Sequence, residues 1–542
     1  MKTDYIVIKE PSLQAAEIER AAGYLKKGEI AAIPTETVYG LAANAFDENA
    51  VKKIFAAKGR PQDNPLIVHI AEKEELYSLA RVVPPKALEL ADRYWPGPLT
   101  MILPKKDCVP DVVSAGLDTV AIRMPSHPTA RAVIKAAGFP LAAPSANISG
   151  FPSPSCAEYV KDDMDGRIAC IVDSGDCEYG IESTVVTLAT NPPRLLRPGG
   201  ITHAQLEAVL GKTDIDDAVL NPLKAGKTAA SPGMKYKHYA PKARLSIVTG
   251  DFESFSEFVK KHKNEADFAL VFEGEQDRLP LPCVCFGKED DSLSQAHALF
   301  DALRELDALG AQKVFVRSPS REGVGLGVCN RLYRAAGFTF LSDRKGEITG
   351  ITGPSGSGKS TVCDILRKKG AVIIDADKKA RDICEKGSPV LEKLALAFGG
   401  DIILPNGTLD RRELASRAFE NEKNTRLLTD ITHPEIVSAC LSDAEKFTDE
   451  GFDVIIDAPL LFSSGLDKIC TRTVKVTAPE EIRLERVMKR DGISRNEALK
   501  RFAAQRQEDI LSEKADIIIS NCPPYDIKEE AERRIPVKSA FD

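Results

Sequence analysis

No stretch of this 542-residue chain approaches 18 uninterrupted apolar residues, so no membrane-spanning helix is expected. The opening residues, MKTDYIVIKE, carry charge where a secretory leader needs an apolar run, and no leader is expected. Twelve cysteines are scattered without a CxxC pair or neighbouring histidines, which speaks against a zinc site. Cys283 and Cys285 fall on one face of a strand and read as buried thiols; reduced cysteines fit a cytoplasmic setting. The net charge is −7, so nothing global points to nucleic acid or an anionic membrane. What is present is ordinary globular material, 43% hydrophobic and 28% charged, in a length that suggests three or four domains.

The stretch from Glu347 to Thr361, EITGITGPSGSGKST, organises the rest. Ile348 and Ile351 belong to a short buried strand, glycines then break regular structure, and TVCDILRKK reads as a helix ending at Gly370. The spacing is G-x-x-x-x-G-K-S, a phosphate-binding loop. Gly353, Gly356, Ser357 and Gly358 let backbone N–H groups face an anion, and the helix beginning at Lys359, Ser360 and Thr361 adds its positive end. Lys359 can reach the β- and γ-phosphates of ATP, and the Ser360 hydroxyl can hold Mg²⁺. About 195 residues follow this loop and nearly 350 precede it, so the chain holds at least two machines.

An α/β pattern runs throughout. Helices are expected over Leu13–Lys27, Ala50–Ala57 and Pro85–Tyr94, and strands over Glu29–Pro34, Pro65–Ala71, Leu99–Leu103, Val120–Arg123, Ile168–Asp173 and Thr184–Leu188. Thr213–Pro241 loses periodicity and reads as a linker. A smaller α/β pattern follows from Arg244, with a helix over Ser292–Leu309 carrying Leu293, Ala296, Leu299, Leu303 and Leu306 on one stripe. Gly323, Gly325 and Gly327 do not continue into a dinucleotide fingerprint, since Val328 and Asn330 stand where glycine is needed. Residues 342–346 form a short polar joint.

Within residues 1–240 polar clusters sit at strand ends, where α/β folds build their sites. Thr35 and Thr37 in PTETVYGL either face a ligand or satisfy a turn. Lys58 and Arg60 in KGRPQDNPLIVHI either grip a polyphosphate or end a solvated helix, and His69 by default is a core histidine. Arg123, between buried positions, needs an anionic partner. Together PTETVYGL, KGRPQDNPLIVH, WPGPLT, VAIRMPSHP, APSANISG, IESTV and LRPGG resemble, in order, the YrdC-like threonylcarbamoyl-AMP synthases. PGMKYKHYAP and GLGVCNRLYRAAGF match their long form, and the resemblance covers residues 1 to about 340. It implies a catalytic domain (1–212), a linker acting as a lid (213–243) and a small Rossmann-like accessory domain (244–341).

The implied reaction joins L-threonine to bicarbonate or CO₂ and lets the carbamate attack the α-phosphate of ATP, releasing pyrophosphate. The burden is positioning plus electrostatics. The resemblance puts Lys58, Arg60, Asn64, Ser145, Asn147, Ser153 and Arg197 with ATP, and Tyr236 as a lid that excludes water. Thr35, Thr37, His69, Thr119, Arg123 and Ser183 would shape the pocket for threonine and bicarbonate, Arg123 taking the carboxylate. Asn64, Ser153 and Thr119 rest on motif position alone. The product would pass to a tRNA threonylcarbamoyl transferase complex. The rival reading is an RNA-binding module, against which the acidic balance argues.

Past the loop, IDADKKAR ends a strand in Asp375 and Asp377, candidates for a base near the γ-phosphate, with a helix N-cap as the alternative for Asp375. Asp457 closes a second apolar strand, the acidic position that a P-loop enzyme uses near Mg²⁺. The arginine-studded helices around Arg483–Arg501 are either a solvated face or a lid. GPSGSGKST, IDADKKAR, GTLDRREL, HPEI, DAPLLF and ADIIISNCP resemble dephospho-coenzyme A kinase over about 347–535, within a P-loop domain of 347–542. That implies phosphorylation of the dephospho-CoA 3′-hydroxyl, with Asp377 as base and Arg411, Arg412 and His433 on the acceptor side. Arg486 and Arg490 would contact phosphates and Asn521 the adenine. Pro354-Ser355 departs from the family's usual Gly-Ile yet keeps every required glycine. Another nucleoside or nucleotide kinase is the rival.

Overall fold

The structure, a computed structural model, describes residues 2–221 and 239–538. Tyr236 therefore lies outside the described residues. The chain forms two compact units, Met1–Val248 with Phe252–Phe340, and Thr249–Asp251 with Leu341–Asp542.

The first unit is built on an eleven-stranded mixed sheet. Its strands are β1 (Asp4–Val7), β2 (Ala31–Ile33), β3 (Gly40–Asn44), β4 (Ile67–His69), β5 (Leu99–Pro104), β6 (Thr119–Arg123), β7 (Leu141–Ala142), β8 (Cys170–Asp173), β9 (Thr184–Thr187), β10 (Arg194–Arg197) and β11 (Asp214–Ile215). They lie in the order β1-β8-β2-β3-β7-β4-β6-β5-β9-β10-β11. Alternate side chains leave opposite faces of a strand, and β2 divides accordingly. Ala31 and Ile33 join a core under helices Ala15–Lys26 and Pro128–Ala137, while Ala32 joins another with Ile54 and Leu90 of helices Glu48–Lys58 and Pro85–Tyr94. With both faces covered, the strands are apolar nearly throughout.

A second, five-stranded sheet comprises β12 (Arg244–Val248), β13 (Phe268–Val271), β14 (Cys283–Cys285), β15 (Lys313–Arg317) and β16 (Phe340–Leu341), ordered β14-β13-β15-β12-β16. Asp291 caps helix Ser292–Ala308 by accepting from the N–H groups of Leu293 and Ser294, and Ala296, Leu299, Leu303 and Leu306 are buried as the stripe requires. Leu293 is not: it stands in the first turn and is 55% exposed. The thiols of Cys283 and Cys285 are only half-buried, because β14 is an edge strand. The linker reading also needs correction at its start. Asp214–Ile215 pairs in parallel with β10, a strand too short to show periodicity.

The second unit holds a parallel sheet of β17 (Ile348–Thr352), β18 (Val372–Asp375), β19 (Val454–Asp457), β20 (Arg472–Thr477) and β21 (Ile517–Ser520), ordered β18-β19-β17-β20-β21. The winding reverses beside β17, so the carboxyl end of that strand is where a doubly wound sheet places its ligand. Two helical groups have small cores of their own. Val390, Leu394, Phe398, Leu414 and Ala418 knit helices Pro389–Phe398 and Arg411–Ala418. Leu484, Val487, Ala498 and Phe502 knit Glu480–Asp491 to Arg495–Leu511.

Candidate active sites

In the first unit, parallel pairing of β4 with β6 sets His69 beside Arg123, and β5 sets Thr100 on the other side of Arg123. Around these strand ends one cavity brings together Thr35, Thr37, Arg60, His69, Arg123, Ser145 and Arg197, with Glu182 and Tyr239 in its wall. Three arginines and one carboxylate line it, which gives its wall a cationic excess.

Each side chain is held from behind. The Arg123 Nη2 donates to Glu36 Oε1 at 2.7 Å, and its Nε reaches the Gly97 carbonyl at 3.4 Å. The anionic partner that this arginine requires is thus Glu36, itself buried, and Arg123 still lines the cavity. Thr35 Oγ1 accepts from the N–H of Val38 at 3.2 Å and donates to the Val38 carbonyl at 2.6 Å; its hydroxyl does serve a turn. Arg197 donates to the carbonyl and hydroxyl of Ser183 at 3.0 and 3.1 Å, and Ser183 shares a hydrogen bond with Thr100. Burial brings the Arg197 guanidinium down to about 10. Burial, reinforced by Arg123, also lowers His69 to about 3, so the imidazole is neutral.

Lys58, the last residue of its helix, is buried and donates to the carbonyl oxygens of Ser145 and Asn147. Desolvation, then the charge of Arg60, pushes its pKa well below the ordinary lysine range. Lys58 and Asn147 hold the 145–147 segment and do not line the cavity. Arg60 Nη2 donates to the Asn64 carbonyl at 3.3 Å; Asn64 is buried behind it. Ser153 donates to Glu182 Oε1 at 2.6 Å. Thr119 stands apart at the opposite end of β6 from Arg123, about 13 Å along the strand.

In the second unit the loop after β17 turns into helix Lys359–Lys368 at Gly358, whose φ of +94° suits glycine. A Cβ there would also collide with the Asn521 side chain. Lys359 pairs with Asp457, and Asp457 lies in register with Asp375 across β19 and β18. Asp375 accepts from the Lys378 N–H and caps helix Ala376–Asp382, the structural alternative for that residue. Asp377 is the freer carboxylate; desolvation raises its pKa, with Lys359 opposing. Ser360 and Thr361 are exposed in the first helical turn, whereas the Ser357 hydroxyl is buried without a partner.

Arg486 donates to the Gly356 and Asn521 carbonyls at 3.2 and 3.1 Å, and Asn521 donates to the Ser357 carbonyl at 2.8 Å. Gln505 accepts from the Ser355 N–H at 3.0 Å. Arg490 does not join them: it pairs with neighbouring Asp491 at the surface. Arg411 and Arg412 are exposed at the start of helix Arg411–Ala418. His433, on helix Glu422–Asp449, is half-buried and lowered by desolvation.

Three family models match the chain: "Telomere recombination" over residues 23–199, "Threonylcarbamoyl-AMP synthase, C-terminal domain" over 201–337, and "Dephospho-CoA kinase" over 347–524. The threonylcarbamoyl-AMP synthase of Pyrococcus abyssi is 46% identical over 330 residues, which cover 60% of this chain and 95% of that protein. The dephospho-CoA kinase of Corynebacterium glutamicum is 43% identical over 173 residues, 32% of this chain and 86% of that one. The chain belongs to both families. The crystal structure of P. abyssi Sua5 complexed with L-threonine shares 45% identity and a TM-score of 0.58, covering 62% of this chain and 98% of that one. The arginine-lined cavity lies in the unit similar to the synthases and the G-x-x-x-x-G-K-S loop in the part similar to the kinases.

Sequence reasoning missed Glu36, Glu182, Tyr239 and Gln505. The first three lie inside motifs already singled out: Glu36 between Thr35 and Thr37, Glu182 before Ser183, and Tyr239 three residues after Tyr236. Gln505 carried no signal, being one polar residue in a charged helix.

Proposed function

We propose that the chain is a bifunctional enzyme, making threonylcarbamoyl-AMP from L-threonine, bicarbonate and ATP in its first unit and phosphorylating dephospho-CoA in its second. The boundaries we assign are 1–212 for the synthase catalytic domain, with β11 just beyond it still part of its sheet, 244–341 for its accessory domain and 347–542 for the kinase. The observation that carries the synthase reading is the meeting of Arg60, Arg123 and Arg197 with neutral His69 and two threonines in one cavity. Arg123 takes the threonine carboxylate, Arg60 and Arg197 the triphosphate, and Lys58 fixes the segment that meets the nucleotide. Neutral His69 sets no positive charge against the threonine ammonium. Holding two anions side by side in a partly desolvated pocket is how such a site lowers the barrier to attack on the α-phosphate.

In the kinase the loop N–H groups and Lys359 receive the triphosphate. The donor set fits Mg²⁺, which takes oxygen ligands through one or two carboxylates plus phosphates; Ser360 and Asp457 would hold it, and it would neutralise charge on the transferring phosphoryl group. Asp377 removes the proton of the 3′-hydroxyl, and Arg411, Arg412 and His433 receive the acceptor. The first product suits a tRNA-modifying transferase downstream.

The test is pyrophosphate and CoA formation by the parent and Lys359→Ala proteins. The variant is expected to release pyrophosphate only when threonine and bicarbonate are both supplied, and to make no CoA. Pyrophosphate from neither protein would overturn the synthase assignment. CoA formation that survives Lys359→Ala would overturn the kinase assignment.

A further inference from the structure

Arg331 belongs to helix Gly325–Ala335, every residue of which is buried. Its guanidinium reaches into the catalytic half of the synthase unit. Nε donates to Glu182 Oε2 and Nη2 to the Glu182 carbonyl, each at 2.9 Å, while Nη1 donates to the carbonyl of Pro198, the residue after Arg197. The same guanidinium lies 5.9 Å from the centre of the Tyr239 ring. Glu182, Arg197 and Tyr239 all line the cavity, so one residue from the accessory part touches or adjoins three parts of its wall. The approach depends on Gly327, one turn earlier. A Cβ there would sit 3.0 Å from Ile181 Cδ1 and 3.3 Å from Gly199 Cα.

We propose that Arg331 is a positioning residue for the nucleotide wall of the synthase site, holding and neutralising the Glu182 carboxylate so that the wall accepts a polyphosphate. This rests on reading the cavity as an ATP site. A carboxylate in an anion-receiving wall repels its ligand unless a cation faces it from behind. Arg331 does so from the protein side while Ser153 fixes the other oxygen. The interaction is one of the contacts that join the accessory part to the catalytic part in one compact unit.

The experiment uses full-length protein, with ATP and L-threonine varied in turn in the pyrophosphate assay and L-threonine binding followed by calorimetry. A silent parent would dismiss the site reading itself. With the parent active, Arg331→Met is expected to raise KM for ATP about tenfold or more, from the unmasked charge, and KM for threonine by no more than about twofold. Adding Glu182→Gln should remove most of that rise, because the repelling charge is gone. An unchanged KM for ATP in Arg331→Met overturns the proposal, as does a rise that the double variant keeps in full. If Arg331→Met does not bind threonine, the double variant is expected to bind it and to match the KM for ATP of Glu182→Gln alone. A double variant as inert as Arg331→Met overturns it too.

Discussion

A buried arginine that serves a substrate must be held without being saturated. Arg123 is held by Glu36 and Gly97 through Nη2 and Nε, and its cavity-facing surface remains for a carboxylate. Glu36→Gln leaves that guanidinium without its counter-ion, and losing one member of a buried pair typically costs about 3–5 kcal/mol. The expected outcome is a lower melting temperature together with a raised KM for threonine, read from pyrophosphate release at saturating ATP. As the proposed base of the kinase, Asp377 would have to be deprotonated, so kcat/KM should fall as the pH drops through its raised pKa. Asp375 and Asp457 both push that value up. Asp375→Asn keeps the helix cap, since asparagine caps as well as aspartate, and removes one raising charge. The acid limb of the pH profile should therefore move to lower pH; a limb that stays in place would detach it from Asp377. At this scale the sequence showed which motifs matter but not which member of each faces inward. Glu182 and Tyr239 enter the cavity and Glu36 stands behind Arg123, because loop turns and the sheet's pleat decide which side chain faces a cavity or a buried partner, and a motif string records neither.

Among the elements, the helix pair Glu480–Asp491 and Arg495–Leu511 touches the phosphate loop through Arg486 and Gln505 yet has its own core. Leu484→Ala should loosen the pair locally, by about 2–5 kcal/mol as for other buried leucines. The expected signature is faster hydrogen exchange in both helices with β17 and β19 still protected, and a raised KM for ATP in CoA formation. Pyrophosphate release should be untouched. Long amphipathic elements were legible beforehand; helix Pro85–Tyr94 has the bounds its pattern gives. Strands of two residues were not. β7 and β11 exist because neighbouring strands offer them hydrogen-bonding edges, and that is a property of the assembled sheet.

For the whole molecule, the change of unit between Phe340 and Leu341 falls close to the polar residues 342–346. The catalytic and accessory parts fall in one compact unit. The packing of Gly327 against Gly199 and the Arg304–Asp163 ion pair at 2.8 Å make them one. Two segments produced separately by a cut within 342–346 should each keep their own activity to within about twofold, as expected for sites without shared residues. Loss of pyrophosphate release from the first segment, measured with the second added back and withheld, would show that the synthase depends on the kinase.

The tie between Glu182 and Arg331 spans 149 positions of sequence. Ribosomes add residues at 5–20 per second, so about 7–30 s separate the appearance of the two partners during synthesis. At the start of that interval the nascent chain holds the strands only as far as β8, and β9 to β11 follow by residue 215, whereas the Arg331 guanidinium that meets Glu182 comes last. On the role proposed for Arg331, the timetable of translation would set when the cavity's wall is complete, and a message truncated before codon 331 would leave that wall unfinished.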